Sequence, residues 1–353
     1  MTRRDTTLRR SALRWLACGA LIILSATLAA CDGTNQQGGG STTSSGKGTQ
    51  ISMVLDPAGV LVAVAQDHGF FHGISVDYQR VGYDAAGSLF VARKLPIGVF
   101  SPTELVEPKN QQAKLRFFST AGAIDFVNGI VVRAQDANKY KSLSDLRGHK
   151  VGQPGFGTGT WQAFSAISKS VYNIQPRQDF SLVTADPGAL LGLLEKGRID
   201  AAVTFSSQAI TALAEPDKFK LISSFSDDWQ KKTEQPLVVT GLVGRQPWLD
   251  SHQHAAKAFV DGIDHAMAWA KKHPDAFLKG GRYESWSNAA GWFTTPKTAQ
   301  AIVQLMKKNK YWYTSDLYTD KWIDSTYKFI KSSTKNEQVP AKSDIFYHLK
   351  PQD

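Results

Sequence analysis

Lys141-Ser-Leu-Ser-Asp-Leu-Arg-Gly-His-Lys-Val-Gly152 runs into Gly155-Phe-Gly-Thr-Gly-Thr160, and this stretch decides the fold. Its first half reads as a short helical turn over 143–146 that stops at a glycine and feeds a buried strand at Lys150. Its second half is a glycine-rich turn that opens a helix over 161–170. The alternation continues with a strand at 180–183, a helix at 188–196 and a strand at 201–205. Strands that alternate with helices specify an α/β fold with mostly parallel sheets.

Working outward, 51–55 reads as a strand. Asp56-Pro57 is a helix-start signal, since Asp caps and Pro suits the first turn. A helix then runs through Val60, Val64 and Ala65, with Gly69 just past its end. Further strands are expected at 73–78, 97–100, 115–118, 130–133, 221–224 and 237–243. Beyond these the chain turns helical. Phe259, Ile263, Met267 and Ala270 share one helical face, as do Trp322, Thr326 and Ile330.

The chain has 353 residues, with 42% hydrophobic and 20% charged residues and 2 Cys. This is globular composition, and it excludes a collagen, a disulfide scaffold and a wholly disordered chain. Only one apolar run invites a membrane reading. It follows Arg3, Arg4, Arg9, Arg10 and Arg14, spans 15–27 and ends in Leu28-Ala29-Ala30-Cys31. It is too short for a stable span and has the layout of an export signal. Leu-Ala-Ala-Cys resembles a bacterial lipobox, so 1–30 is expected to be removed and Cys31 lipidated. Residues 1–30 hold five Arg and one Asp, which leaves +6 of the chain's +10 on the remainder. Its paired lysines, such as Lys231-Lys232, Lys271-Lys272 and Lys307-Lys308, are scattered, with no basic stripe suited to nucleic acid. Residues 31–49 are Gly-, Ser- and Thr-rich with nothing to bury, and read as a flexible tether. The expected place of work is extracytoplasmic, at the outer face of a cell membrane.

Three motifs carry a family resemblance. The first is Ala65-Gln-Asp-His-Gly-Phe-Phe71 followed by Gly73-Ile-Ser-Val-Asp-Tyr. The second is the stretch quoted above. The third is Leu193-Leu-Glu-Lys-Gly-Arg-Ile-Asp-Ala-Ala202. In order and spacing they resemble the solute-binding proteins of ABC importers, of the nitrate/sulfonate/taurine and thiamine-pyrimidine precursor type. The resemblance covers about 51–345. It implies a two-lobed periplasmic-binding-protein-like α/β fold (type II) with a cleft between the lobes. Lobe 1 would comprise 50–133 and 240–353, lobe 2 would comprise 134–239, and a hinge would lie near 130–133 and 238–241.

The function implied is capture of a small organic or inorganic anion and its delivery to a membrane permease with its ATPase. The body would work as a monomer without cofactor. An aromatic precursor, of thiamine-pyrimidine or riboflavin-like type, is the alternative ligand. An enzyme or a sensor on the same fold stands behind both. By position, the cleft walls would include Asp56, Pro57, Gly59, Ser101, Thr103, Gly122, Phe205 and Ser206. They would also include the loop Gly157-Thr158-Gly159-Thr160-Trp161.

The loop also has its own physical reading. A glycine-rich turn that opens a helix exposes backbone N–H groups at a positive dipole end, which suits an oxyanion. Thr158 and Thr160 add hydroxyl donors there, and Phe156 and Trp161 hint at stacking on a flat ring. The loop is neither a P-loop nor a dinucleotide fingerprint, because no Gly-Lys-Ser/Thr follows and the third glycine is missing. No metal set is expected. His68 and His72 flank the helix end at Gly69, and there is no His-Glu-x-x-His or Cys-x-x-Cys. No Gly-x-Ser-x-Gly elbow marks a hydrolase, and no catalytic residue is assigned.

Overall fold

The computed structural model describes residues 48–350, apart from 56–58, 82–87, 91, 93–94, 125–127, 157, 290–294, 309–311 and 335–338. The export segment, Cys31, Asp56, Pro57 and Gly157 therefore lie outside the described residues. So does the tether as far as residue 47, but its expected end does not hold. Thr49 already pairs with Ile74 at the start of a strand.

Two α/β lobes build the body. The first begins with β1 (Thr49–Leu55), α1 (Val60–Asp67) and β2 (Ile74–Arg80), with the two strands parallel. α1 is apolar on every side: Val60 to Ala65 are all buried. It can be so because the long helix α6 (Gln253–Lys272) covers it, and Phe259, Ile263, Met267 and Ala270 are buried on the face their spacing foretold. Beside this unit, β11 (Gly241–Arg245) lies between β3 (Ile97–Phe100) and β4 (Leu115–Ser119), antiparallel to both; the two-residue β5 (Ala123–Ile124) follows β4, and α7 (Pro296–Lys307) follows α6.

The second lobe is one sheet in the order β10-β6-β9-β7-β8. Its strands are β6 (Gly129–Arg133), β7 (Lys150–Gln153), β8 (Ser181–Thr184), β9 (Ala201–Thr204) and β10 (Phe219–Ser224). Ile130 and Val132 of β6 face one core and Val131 the other; Ala201 and Val203 of β9 are split from Ala202 in the same way. A strand buried on both faces reads as an unbroken apolar run. One face is covered by α2 (Gly159–Tyr172) and α5 (Phe225–Thr233), the other by α3 (Pro187–Glu195) and α4 (Ser206–Ala214).

Three expectations are corrected. The sheets are not mostly parallel: β6 is antiparallel to β9 and β10, and the β3-β11-β4 sheet is antiparallel throughout. The reason is the route of the chain. β6 carries it away from the cleft, while its neighbours β9 and β10 carry it back. Gly129–Arg133 also pairs inside the second sheet, although it was expected to close the first lobe. Finally, 237–240 is not strand; β11 starts at Gly241. Leu237 is buried in the second-lobe core and the adjacent Val238 in the first, so the chain changes lobes there.

Helix α8 (Asp320–Ser333) also packs against both lobes. Trp322, Ile323 and Ile330 sit in the core of the first lobe, and Phe329 in that of the second. Trp322 Nε1 donates to Pro236 O at 3.2 Å, and Trp229 Nε1 of α5 donates to Ser325 Oγ at 2.9 Å. Among the described residues no helix is long and apolar enough to cross a membrane, and no group of three or more His, Cys, Asp or Glu could hold a metal ion.

Candidate functional site

Strand direction creates the site. In the second sheet, β7, β8, β9 and β10 all point their carboxyl ends to one edge, where β6 begins. In the first lobe, Phe100 at the end of β3 lies opposite Gly241, which brings Ser101 and Thr240 to a common edge. Ligands in open α/β sheets collect at such carboxyl edges. Here a cavity of about 400 Å³ lies between the two edges. The first lobe lines it with 101–104 and Thr240, the second with Gly159, Thr160, Ala163 and Phe205, and the segments that cross between them with Asn128 and Leu237 to Val239. Thr326 and Phe329 of α8 complete the wall.

The second-lobe edge is a helix start held from behind. Gln153 is fully buried; its Oε1 accepts from Gly155 N at 2.6 Å and its Nε2 donates to Thr184 Oγ1 at 2.5 Å. Gly155 has φ +130°, which favours glycine. Thr158 Oγ1 donates to Gly155 O at 2.8 Å and accepts from Trp161 N at 3.1 Å. It is thus the N-cap of α2, and the expectation that it donates to a ligand is corrected: its hydroxyl proton is already engaged. The amides of Gly159 and Thr160 come first in α2, where no turn precedes them to accept their protons. Both residues line the cavity.

The first-lobe edge is a self-contained turn. Ser101 Oγ and Thr103 Oγ1 are 2.7 Å apart, and Ser101 N donates to Glu104 Oε2 at 2.8 Å. When one hydroxyl donates to another, one hydroxyl proton remains for a third group. Glu104 puts a carboxylate in the same wall. Among the described lining residues there is no Lys or Arg.

Of the expected site residues, the structure brings Ser101, Thr103, Gly159, Thr160 and Phe205 together at this cavity. Trp161 is not among its lining residues. The ring is 7% exposed, packed edge-on to Phe156 at 4.8 Å and to Phe164 at 5.6 Å. Phe156 is exposed but lies under the Arg177 guanidinium, 3.8 Å from its ring centre. The stacking expectation for these two rings is therefore corrected: packing holds one and a cation covers the other.

Gly122 serves packing. Its φ is +72°, and a Cβ there would come within 2.6 Å of Ile263 Cγ2 on α6. Gly59 is the N-cap position of α1, away from the cavity lining. Ser206 begins α4, next to Phe205, and its side chain is outside the described residues. Sequence reasoning missed Asn128, Thr240, Thr326 and Phe329. Only Thr326 left a signal, as the hydroxyl on an otherwise apolar helical face.

Solved structures with this architecture include the periplasmic aliphatic sulphonate binding protein SsuA of Escherichia coli. It covers 84% of this chain and 96% of its own, with TM-score 0.63 and 12% identity. The alkanesulfonate-binding protein SsuA of Xanthomonas axonopodis pv. citri, bound to MOPS, covers 86% and 100%, with TM-score 0.56 and 10% identity. The ligand-binding component of an ABC-type import system of Staphylococcus aureus covers 85% and 97%, with TM-score 0.55 and 14% identity. These likenesses establish the two-lobed periplasmic-binding-protein fold. No curated protein is similar enough in sequence to match. The NMT1/THI5-like family model, however, matches residues 57–277, more than half of the sequence, and the chain belongs to that family.

Proposed function

We propose that this protein is the solute receptor of an ABC importer and that its ligand is a small organic anion of the sulfonate type. The observation that carries the reading is the cavity of about 400 Å³ with a helix start on one side, and hydroxyls and the Glu104 carboxylate on the other. The anionic head would meet the Gly159 and Thr160 amides, with Thr160 donating its hydroxyl. A helix N-terminus favours an anion by about 0.3–2 kcal/mol, and each hydrogen bond to a charged group adds about 1.5–3 kcal/mol. The apolar side of the wall, Ala163, Phe205, Leu237 and Phe329, suits an alkyl body better than bare nitrate. The names of the solved sulfonate binders point the same way.

Capture would proceed by closure of two lobes, comprising roughly 50–128 with 240–353, and 129–239, about the segment at Leu237 and Val238. The receptor would work as a monomer and hand its solute to a permease and ATPase. The lipobox-like Leu28-Ala29-Ala30-Cys31 supports anchoring at the outer face of the membrane. Cys31→Ser should then move the protein from the detergent phase to water, and unchanged retention would sink the anchor.

The direct test is calorimetric titration with ethanesulfonate, nitrate and a hydroxymethylpyrimidine, with product analysis on the same mixtures. Binding of ethanesulfonate without turnover is the expected result. A second reading, a flat aromatic precursor, draws on Phe205 and Phe329 in the cavity wall; it wins if the pyrimidine binds and the sulfonate does not.

A further inference from the structure

We propose that Thr326 of α8 is a ligand-binding residue whose hydroxyl donates to the anionic head of the solute. The proposal rests on the receptor reading above. Thr326 lines the cavity, is 1% exposed, and its Oγ1 has no hydrogen-bond partner. A helical Thr ordinarily bonds back to a carbonyl three or four residues earlier. A buried hydroxyl left unpaired is costly, so such a group at a cavity wall is explained by an acceptor that arrives with the ligand.

The neighbouring hydroxyls show that the orphan is not general looseness of the helix. Ser325 accepts from Trp229 Nε1 at 2.9 Å and donates to Thr233 Oγ1 at 3.1 Å. Ser332 and Ser333 bond back to Phe329 O at 2.7 Å and Ile330 O at 2.9 Å. Thr326 Oγ1 is out of reach of water, but a helical Thr has two accessible χ1 rotamers. Donation to the solute therefore requires the hydroxyl to take up its second rotamer.

Position adds a role that Thr160 cannot have. Thr160 belongs to one lobe, whereas α8 is buried in both: Trp322 and Ile330 in one core, Phe329 in the other. A ligand held by Thr160 and Thr326 together is tied at once to the second lobe and to the helix both lobes share. The contact thereby couples occupancy to lobe position.

The test is titration of the full chain with ethanesulfonate for the wild type, Thr326→Val and Thr326→Ser, with ligand-free thermal melts of all three. Thr326→Ser should bind within about twofold of wild type. Thr326→Val should bind about tenfold more weakly, which corresponds to about 1.4 kcal/mol. Its ligand-free form should melt no lower than wild type, because a buried unpaired hydroxyl is replaced by a methyl. Equal affinity in all three proteins overturns the role of Thr326 and leaves the receptor reading standing. Equal loss in both variants together with lowered melting makes Thr326 a packing residue and also overturns the proposal. Failure of the wild type to bind ethanesulfonate overturns the sulfonate reading, and the donation to a sulfonate falls with it.

Discussion

On one side of the cleft stands a helix of 14 residues, α2; on the other, a 3-10 turn of three, Glu104–Val106. The long helix brings an accumulated dipole and open amides, and its own cap, Thr158, is satisfied from behind. The short turn brings little dipole and carries a carboxylate that is occupied in holding the Ser101 amide. The same cavity is thus electropositive toward the second lobe and electronegative toward the first. Such a site suits a ligand with a defined head and tail, and on the function proposed above the head would lie at α2. The difference also teaches that the two edges present different groups, open backbone amides beside Thr160 on one and hydroxyls with a carboxylate on the other.

Four changes would break or sharpen this contrast. The largest effect is expected at Gly241, which anchors the first-lobe edge next to Thr240. A Cβ there would overlap Phe117 Cζ and approach Ser119 O within 2.8 Å. Because one obstacle is backbone, Gly241→Ala should cost about 3 kcal/mol in urea unfolding, the upper end for overpacking. An unchanged midpoint would mean that this edge yields to the added methyl. Next, Thr160→Ala should weaken ethanesulfonate by about tenfold in calorimetry, since about 1.4 kcal/mol is a factor of ten. If Ser101→Ala costs more than Thr160→Ala, the head lies against the first lobe and the contrast is reversed.

Thr158→Ala removes a cap and should lower unfolding stability by about 1 kcal/mol, with Thr158→Ser close to wild type. Its effect on affinity should be smaller than that of Thr160→Ala, because the Thr158 hydroxyl faces its own loop. The smallest change is Glu104→Gln, which keeps an oxygen for the Ser101 amide and drops the charge. It should tighten a plain sulfonate about two- to threefold at low salt, the scale of a screened charge pair. The gain should fade in high salt. A weaker sulfonate after this change would place Glu104 among the groups that hold the ligand.

The helices and most strands were legible because each carries its own period. The face Phe259, Ile263, Met267 and Ala270 and the strand at 201–204 needed only local arithmetic, and α2 extends two residues beyond each end of the expected 161–170. Strand direction was not legible. β6 and β9 are similar apolar runs, and nothing in either says that they lie antiparallel. Likewise Leu237 and Val238 read as one strand, although each faces a different core. At the site, the anion-suited helix start could be read from Gly155 to Thr160, because caps and dipoles are local properties. Thr158 and Trp161 could not be sorted from Thr160. All three sit within four residues, and only the packed loop decides which side chain turns inward.

What the sequence by itself determined was therefore the local chemistry: the α/β alternation, the amphipathic faces, the open amides after Thr158 and the three motifs that mark the family. These depend on residues within a turn or two of one another. The tertiary structure alone decided which distant pieces meet at the cleft. It set Ser101, Thr160 and Phe205 around one cavity and added Thr326, more than a hundred residues away from any of them. It also turned Trp161 into core. The physical reason is that a cavity is defined by what long-range packing leaves unfilled, and no local pattern encodes that remainder.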